Sequence, residues 1–130
     1  MSATAAAGTE RPVMTGIEVI YLYVADIRRS VAFYEAGFGV SFVTRGDDWA
    51  ECTLGDGVRF AFHLADPDAP PPTSGTLVVD LRVDDLDATR GRLAELGATI
   101  TETQEAPSGC FFGFIDPDGY RLQVFARRSR

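Results

Sequence analysis

The chain has 130 residues, 45% of them hydrophobic, which is enough for one domain with its own apolar core. Its formal net charge of -7 argues against a nucleic-acid partner, because binding to phosphates needs a basic surface. No stretch approaches the roughly 20 apolar residues of a membrane span, and the cysteines, Cys52 and Cys110, form no C-x-x-C pair, which indicates a reducing, cytoplasmic setting.

Composition divides the chain into two segments of similar length. Residues 1–15 are Ala-rich and lack the basic start and long apolar stretch of a signal peptide, so they predict a disordered N-terminal tail. Residues 65–75 contain four prolines, which forbid a helix and favour an extended linker. The segments before and after the linker are 16–64 and 76–126, and a short basic tail, 127–130, ends the chain.

The first segment predicts a strand, a helix and three more strands. Residues 17–24 are rich in β-branched and aromatic side chains, which favour a strand. Asp26 then caps a helix over 27–37 in which apolar residues recur at helical spacing, and Gly37 or Gly39 ends it. Further strands are predicted at 40–44, 49–54 and 58–64.

The second segment repeats this βαβββ order. A strand is predicted at 77–83, then a helix capped by Asp85, and then strands at 98–103, 110–115 and 120–126. The residues of the helix that should face inward are Leu86, Leu93 and Leu96. One copy has too little core to be stable alone, so the two copies must pack together or exchange partners with a second chain.

The turn before the last predicted strand has a clear chemical basis. Pro117 sets φ for the first corner of a β-turn, and Gly119 can adopt the positive φ that closes it. After the turn, apolar Leu122 and Val124 alternate with Arg121 and Gln123. This period of two predicts a half-buried strand with a polar second face.

The duplication and four motifs resemble the vicinal oxygen chelate superfamily, which includes glyoxalase I, extradiol dioxygenases, fosfomycin-resistance enzymes and bleomycin-resistance proteins. The motifs are Val24-x-Asp26, Phe33-Tyr34, Phe38-Gly39 and Asp116-Pro117-Asp118-Gly119. The resemblance implies an α+β fold in which two βαβββ modules form a curved open barrel, with helices on its convex face and the ligand on its concave face. It also implies a homodimer.

Metal-using members of this superfamily bind their ion at four positions, in the first and last strands of each module. The resemblance maps those positions onto Val19, Ala61, Val78 and Gln123. Three of these side chains have no donor atom, and the whole chain has one histidine, whereas transition metals favour imidazole, thiolate or carboxylate ligands. We therefore expect no metal and no other cofactor.

Strand alternation predicts which residues line the concave cavity, because every second side chain must pack on the helices. The faces of Phe111, Phe112 and Phe114 stay open, although Phe112 is included among the candidates. Aromatic walls with a few polar groups are typical of a small-molecule pocket. The candidate ligand-binding residues are Tyr21, Tyr23, Trp49, Glu51, Arg59, His63, Asp80, Arg82, Phe112, Arg121, Gln123 and Phe125.

Several candidates have an equally simple structural role. The two tyrosines, Tyr21 and Tyr23, could fill a seam between modules or a dimer interface, and Trp49 could lie at a subunit contact. Arg59 and Arg121 occupy equivalent positions, so they could clamp an anion or instead pair with Asp80 or Glu51. His63 is the one candidate general base and could equally be a solvated strand-end residue.

The interpretation that fits these features best is metal-independent binding of a small, partly aromatic or cationic organic molecule, an antibiotic or a secondary metabolite, with resistance by sequestration. The alternative is a metal-independent lyase or isomerase that uses His63, Asp80, Arg121 or Gln123. A catalytically silent interaction domain is a third class. The absence of lysine from the chain excludes Schiff-base chemistry on a lysine.

Overall fold

A computed structural model of the protein describes residues 15, 17–65 and 78–128. Apart from their boundary residues, the predicted N-terminal tail and Pro-rich linker lie outside this part of the chain. The described helices are too short and not apolar enough to cross a membrane.

The N-terminal module forms a four-stranded sheet, called here the N-terminal sheet. Its elements are β1 (Val19–Val24), α1 (Ile27–Phe38), β2 (Val43–Arg45), β3 (Trp49–Thr53) and β4 (Arg59–Leu64). The strand order is β1-β4-β3-β2, with β1 parallel to β4 and the other pairs antiparallel. The second strand is shorter than predicted because the N–H of Phe42 donates to Glu35 of α1, at 2.8 Å, instead of to the sheet.

The C-terminal module repeats this plan in a second sheet, called here the C-terminal sheet. Its elements are β5 (Asp80–Arg82), α2 (Leu86–Glu95), β6 (Thr99–Ile100), β7 (Gln104–Ala106), β8 (Gly109–Ile115) and β9 (Arg121–Arg127). The strand order is β5-β9-β8-β6, β5 is parallel to β9, and β7 also pairs with β8. The predicted α+β fold of two modules is confirmed.

Two details of this module differ from the sequence prediction. The strand expected at 98–103 is reduced to β6, next to which the hydroxyl of Thr101 accepts the N–H of Gly113 at 2.7 Å, and β7 is a further short strand that was not predicted. Strand β9 extends to Arg127, one residue into the predicted tail.

The predicted helix caps are confirmed. Asp26 accepts the N–H of Arg29 at 3.1 Å, and Asp85 accepts the N–H of Ala88 at 3.0 Å. These carboxylates satisfy amide donors that have no partner inside the helix.

The glycines at the end of α1 have different roles. Gly39 ends the helix in the left-handed conformation, with φ of 70°. Gly37 lies inside the helix, where an added Cβ would be 2.8 Å from a methyl carbon of Leu93, so it allows α1 and α2 to approach closely.

One prediction for the second helix was wrong. Leu96 was predicted to face inward and is 42% exposed, because α2 ends at Glu95 and the chain turns away.

One apolar core is shared by both modules, and α1 lies at its centre. The ring of Tyr34 packs on Phe60 and Phe62 of the N-terminal sheet at centroid distances of 5.3 and 5.2 Å. The opposite module contributes Phe114, whose centroid is 5.6 Å from that of Phe38. Both sheets therefore turn their helix-side faces toward α1, and their other faces point away from each other.

A set of hydrogen bonds, called here the inter-module clasp, joins the β8–β9 turn to α1. Oδ1 of Asp118 accepts the N–H of Ala25 at 2.8 Å and the guanidinium of Arg29 at 2.9 Å, and its Oδ2 accepts the hydroxyl of Ser30 at 3.0 Å. Ser30 is fully buried, so this carboxylate supplies the partner that its hydroxyl needs.

A fourth hydrogen bond of the clasp connects Tyr34 with Asp116. The hydroxyl of Tyr34 donates to Oδ2 of Asp116 at 2.9 Å, while Oδ1 accepts the N–H groups of Asp118 and Tyr120. Asp116 is only 4% exposed, and burial raises the pKa of its carboxyl, although these hydrogen bonds oppose the rise. Burial also raises the pKa of Tyr34, so the phenol stays neutral and remains the donor.

We expect Tyr34→Phe to lower the free energy of unfolding by about 1–3 kcal/mol, because a buried carboxylate oxygen then loses its donor. Tyr21→Phe is the matched control, since the same atom is removed from a side chain that is 44% exposed; its expected change is below about 0.5 kcal/mol. Urea denaturation followed by circular dichroism measures both, and equal effects would contradict the role of the clasp.

Candidate functional site

Four ring side chains form a contiguous patch on the outward face of the N-terminal sheet. We call Tyr21, Tyr23, Trp49 and His63 the aromatic cluster. The ring centroids of Tyr21 and Trp49 are 5.3 Å apart, and that of His63 lies 5.4 Å from Tyr23 and 5.9 Å from Trp49. The register explains the proximity, because Tyr23 pairs with His63 and His63 pairs with Trp49 across adjacent strands. The structure therefore brings four of the sequence candidates together.

Glu51 lies beside this cluster and is held by three donors. Its Oε1 accepts the indole N–H of Trp49 at 2.8 Å and Nη1 of Arg59 at 3.1 Å, and its Oε2 accepts Nη2 of Arg45 at 3.4 Å. The hydrogen bond from Trp49, together with the charges of Arg45 and Arg59, lowers the pKa of Glu51 against the opposing effect of desolvation. Arg59 thus has the ion-pair role that was left open in the sequence.

His63 has a defined tautomer in its neutral form. Its Nδ1 lies 2.8 Å from the carbonyl oxygen of Leu64, which can only accept, so Nδ1 carries the proton. The lone pair of the neutral ring is therefore on Nε2. This geometry is compatible with a general base, and the role of His63 stays a prediction.

The outward face of the C-terminal sheet carries the remaining candidates. Asp80 pairs in register with Gln123, and Arg82 pairs with Phe125. Phe111 lies on the same face, because it is the register partner of Phe125 on β8. Arg121, Asp80 and Arg82 are exposed, whereas Gln123, Phe125 and Phe111 are half-buried. This face therefore combines two aromatic rings with polar and charged groups.

Phe112 does not belong to this face, so its place among the candidates was wrong. It is fully buried on the helix side, where the guanidinium carbon of Arg90 lies 5.2 Å from its ring centroid. The register across the β8–β9 turn decides the face, because Ile115 pairs with Arg121 and Phe111 therefore pairs with Phe125 on the outward face. Counting back from a known turn geometry would have identified Phe111.

Two charged residues were missed by sequence reasoning. Arg45 was assigned to a turn, but it ends β2 opposite Trp49 and reaches Glu51. Glu18 precedes β1 and pairs with Nη2 of Arg59 at 3.2 Å. Continuing the alternation of the predicted strand by one residue could have indicated Arg45, whereas the contact of Glu18 depends on strand pairing and has no local sequence signal.

A single chain does not bring the two outward faces together, since the shared core lies between the sheets. The two arginines considered as an anion clamp, Arg59 and Arg121, are consequently on separate surfaces. A cavity of about 320 Å³ does lie between the modules, and its lining includes Tyr34, Cys52 and Leu81, with Asp80 and Arg82 at the edge strand. Burial raises the pKa of the Cys52 thiol, consistent with the predicted inert apolar role.

The four positions that the superfamily uses for a metal do not fit one. Val19 and Val78 have hydrocarbon side chains, and Ala61 is fully buried between Tyr21 and Glu51 in the sheet register. Gln123 alone has a donor oxygen, and a neutral amide is a weak ligand for a transition metal. Within residues 17–65 and 78–128, no three His, Cys, Asp or Glu side chains are grouped to hold an ion.

The chain is similar in sequence to proteins of known family. Residues 19–125 match the glyoxalase-like domain family, which covers both modules, so the chain belongs to that family. Glutathione transferase FosA of Serratia marcescens is 31% identical over 106 residues, which covers 79% of this chain and 74% of FosA.

Solved structures agree with this assignment. A glyoxylase/bleomycin resistance protein/dioxygenase domain from Frankia sp. EAN1pec superposes with a TM-score of 0.73 at 26% identity, over 89% of this chain and all of the other. TnmS3, an antibiotic binding protein from Streptomyces sp. CB03234, has a TM-score of 0.71 at 24% identity, over 91% of this chain and all of the other. At 24% identity, the similarity to TnmS3 shows only that the two proteins share a fold.

The pairing of Glu51 with the only tryptophan gives an optical test of the lowered pKa. We expect Trp49 emission to stay constant on acidification through the ordinary glutamate range, about pH 4.3, and to change only below it. The Glu51→Gln variant, which cannot titrate, should lack this step. Fluorescence titration measures both, with circular dichroism to verify folding, and a wild-type midpoint at or above the ordinary value would contradict the assignment.

Proposed function

We propose that this protein binds a small, planar aromatic molecule, an antibiotic or a secondary metabolite, without a metal. The observation that carries the proposal is the aromatic cluster, in which Tyr21 and Trp49 present adjacent rings on an open sheet face. Aromatic faces of this kind stack on flat ligands and give large contact areas at a low entropic cost. If the ligand is an antibiotic, tight binding lowers its free concentration, which is resistance by sequestration.

Two further observations support binding over metal-dependent chemistry. The positions of Val19, Ala61 and Val78 supply no donor atom to an ion. The fold is also that of TnmS3, an antibiotic binding protein, so a chain of this architecture can bind such a molecule. The proposal includes a cytoplasmic location, for which the free thiols of the two cysteines are suited.

The proposed site is completed by a second copy of the chain. Each outward face is open, whereas a small-molecule site encloses most of its ligand. A homodimer in which the N-terminal face of one protomer covers the C-terminal face of its partner would enclose the ligand between the aromatic cluster and the surface of Phe125 and Gln123. Two-fold symmetry then creates two equivalent sites.

A metal-independent lyase or isomerase is the second candidate, and the geometry of His63 favours it. Its Nε2 carries the lone pair of the neutral ring, next to the rings on which a ligand would stack. Liquid chromatography with mass spectrometry, and NMR to detect an isomer of equal mass, of the ligand recovered after incubation separates the two candidates, because binding alone returns it unchanged.

A thermal-shift screen against planar aromatic antibiotics and metabolites tests the proposal. We expect Tyr21→Ala to weaken binding of any hit by roughly tenfold or more, because it removes a stacking ring at the centre of the site. Leu96→Ala is the matched control, since Leu96 is similarly exposed but follows α2, away from this face. A screen without a stabilised hit, or equal loss in both variants, would overturn the proposal.

Mixed dimers test whether the site spans two chains. Tyr21→Ala removes a ring from the N-terminal face and Phe125→Ala removes one from the C-terminal face, so each variant alone should lose both sites. After unfolding and refolding in an equal mixture, half of the dimers contain one of each and have one intact site. We expect roughly a quarter of wild-type binding capacity to return, measured by titration calorimetry. No recovery would contradict a site shared in this way, and full binding by Phe125→Ala alone would show that each site lies on one N-terminal face.

A further inference from the structure

The net charge of the two outward faces is opposite in sign to the net charge of the whole chain. The register of the sheets places five arginines on these faces, together with the carboxylates of Glu51 and Asp80. Glu18 reaches the same surface through its pair with Arg59. On the N-terminal face two arginines balance the carboxylates of Glu51 and Glu18, whereas on the C-terminal face Arg82 and Arg121 outnumber Asp80. Arg127 lies at the end of β9, in a surface pocket with Asp84, Asp85 and Asp87. The five arginines are Arg45, Arg59, Arg82, Arg121 and Arg127.

The carboxylate next to the aromatic cluster is not available to a cationic ligand. Glu51 already accepts the indole N–H of Trp49 and the guanidinium groups of Arg59 and Arg45. A ligand cation would have to displace these donors or approach two arginines. The surroundings of the aromatic cluster therefore disfavour positive charge, despite the acidity of the chain.

Several of the arginines keep unused donors. Arg82, Arg121 and Arg127 have no ion pair or side-chain hydrogen bond with any other described residue. Arg45 is 63% exposed and has one contact, at 3.4 Å, out of the five N–H groups of a guanidinium. These groups match the geometry of a carboxylate, which accepts two parallel N–H bonds from one arginine.

Distance decides which charges a bound ligand experiences. At physiological ionic strength, charges separated by more than about 8 Å are largely screened. A ligand enclosed between the two faces therefore responds to the charged groups that line those faces more than to the acidic residues on the helices and loops.

From this charge distribution we propose that the ligand is a planar aromatic anion, with a fused ring that stacks on one of the mutually tilted rings of Tyr21 and Trp49 and contacts the other, and a carboxylate that the arginines bind. The inference rests on the proposed function and adds the sign of the ligand's charge. In the paired arrangement, the carboxylate of a ligand stacked on one protomer would point to Arg121 and Arg82 on the C-terminal face of the partner. This proposal differs from the sequence-based expectation, which also allowed a cationic ligand.

Three probes with the same ring system and different charge test the inference. They are 2-naphthoate, 2-naphthamide and 2-(aminomethyl)naphthalene, which are anionic, neutral and cationic at pH 7. Trp49 is the only tryptophan, so its indole N–H gives a single, site-specific NMR signal for each titration. We expect 2-naphthoate to bind roughly tenfold more tightly than the amide, and the amine to bind most weakly. Raising the salt concentration from 50 to about 500 mM should remove most of this difference.

Matched arginine variants give the second measurement. Arg121→Gln should weaken 2-naphthoate binding several-fold and leave 2-naphthamide binding unchanged. Arg28→Gln makes the same charge change on the exposed surface of α1 and should affect neither probe. Equal affinities for the three probes, or tightest binding of the amine, would overturn the charge preference while leaving an aromatic-binding site in place. No shift of the Trp49 signal with any probe would remove the aromatic site and, with it, both proposals.

Discussion

Helix α1 is held between two sheets by Tyr34, which contacts Phe60 and Phe62 on one side and shares the core with Phe114 on the other. Its hydroxyl donates to Asp116, and the neighbouring Asp118 binds the start of the same helix. Because these contacts bury the helix-side faces of both sheets, the opposite faces are directed outward. The location of every candidate binding residue depends on this packing.

Polar groups are used differently on the two sides of the sheets. On the helix side, Asp116 and Ser30 are buried, and the structure provides each of them with hydrogen-bond partners. On the outward side, Arg82 and Arg121 are exposed and have no partner among the described residues. Satisfied buried groups stabilise the fold, whereas unsatisfied exposed donors are available to a ligand.

The proposed binding without a metal depends on a few side chains of a scaffold that this chain shares with its family. Valine at positions 19 and 78 and alanine at 61 remove donor atoms without disturbing strands that pack by their other faces. Rings and guanidinium groups lie around these positions instead. One fold thus supports either an ion or an organic ligand, because the helix-side core is independent of the outward residues.

The sequence by itself determined the two modules, the helix caps at Asp26 and Asp85, and the face of most strand residues, because strand alternation and capping are local rules. It placed four of the aromatic and imidazole candidates on one surface correctly. The face of Phe111 and Phe112 was decided only by pairing across the β8–β9 turn, since a shift of one residue inverts a strand. The tertiary structure alone decided that Arg59 pairs with Glu51 and Glu18, and that the two modules present their open faces in different directions. These features arise from contacts between residues far apart in the chain, for which no local pattern exists.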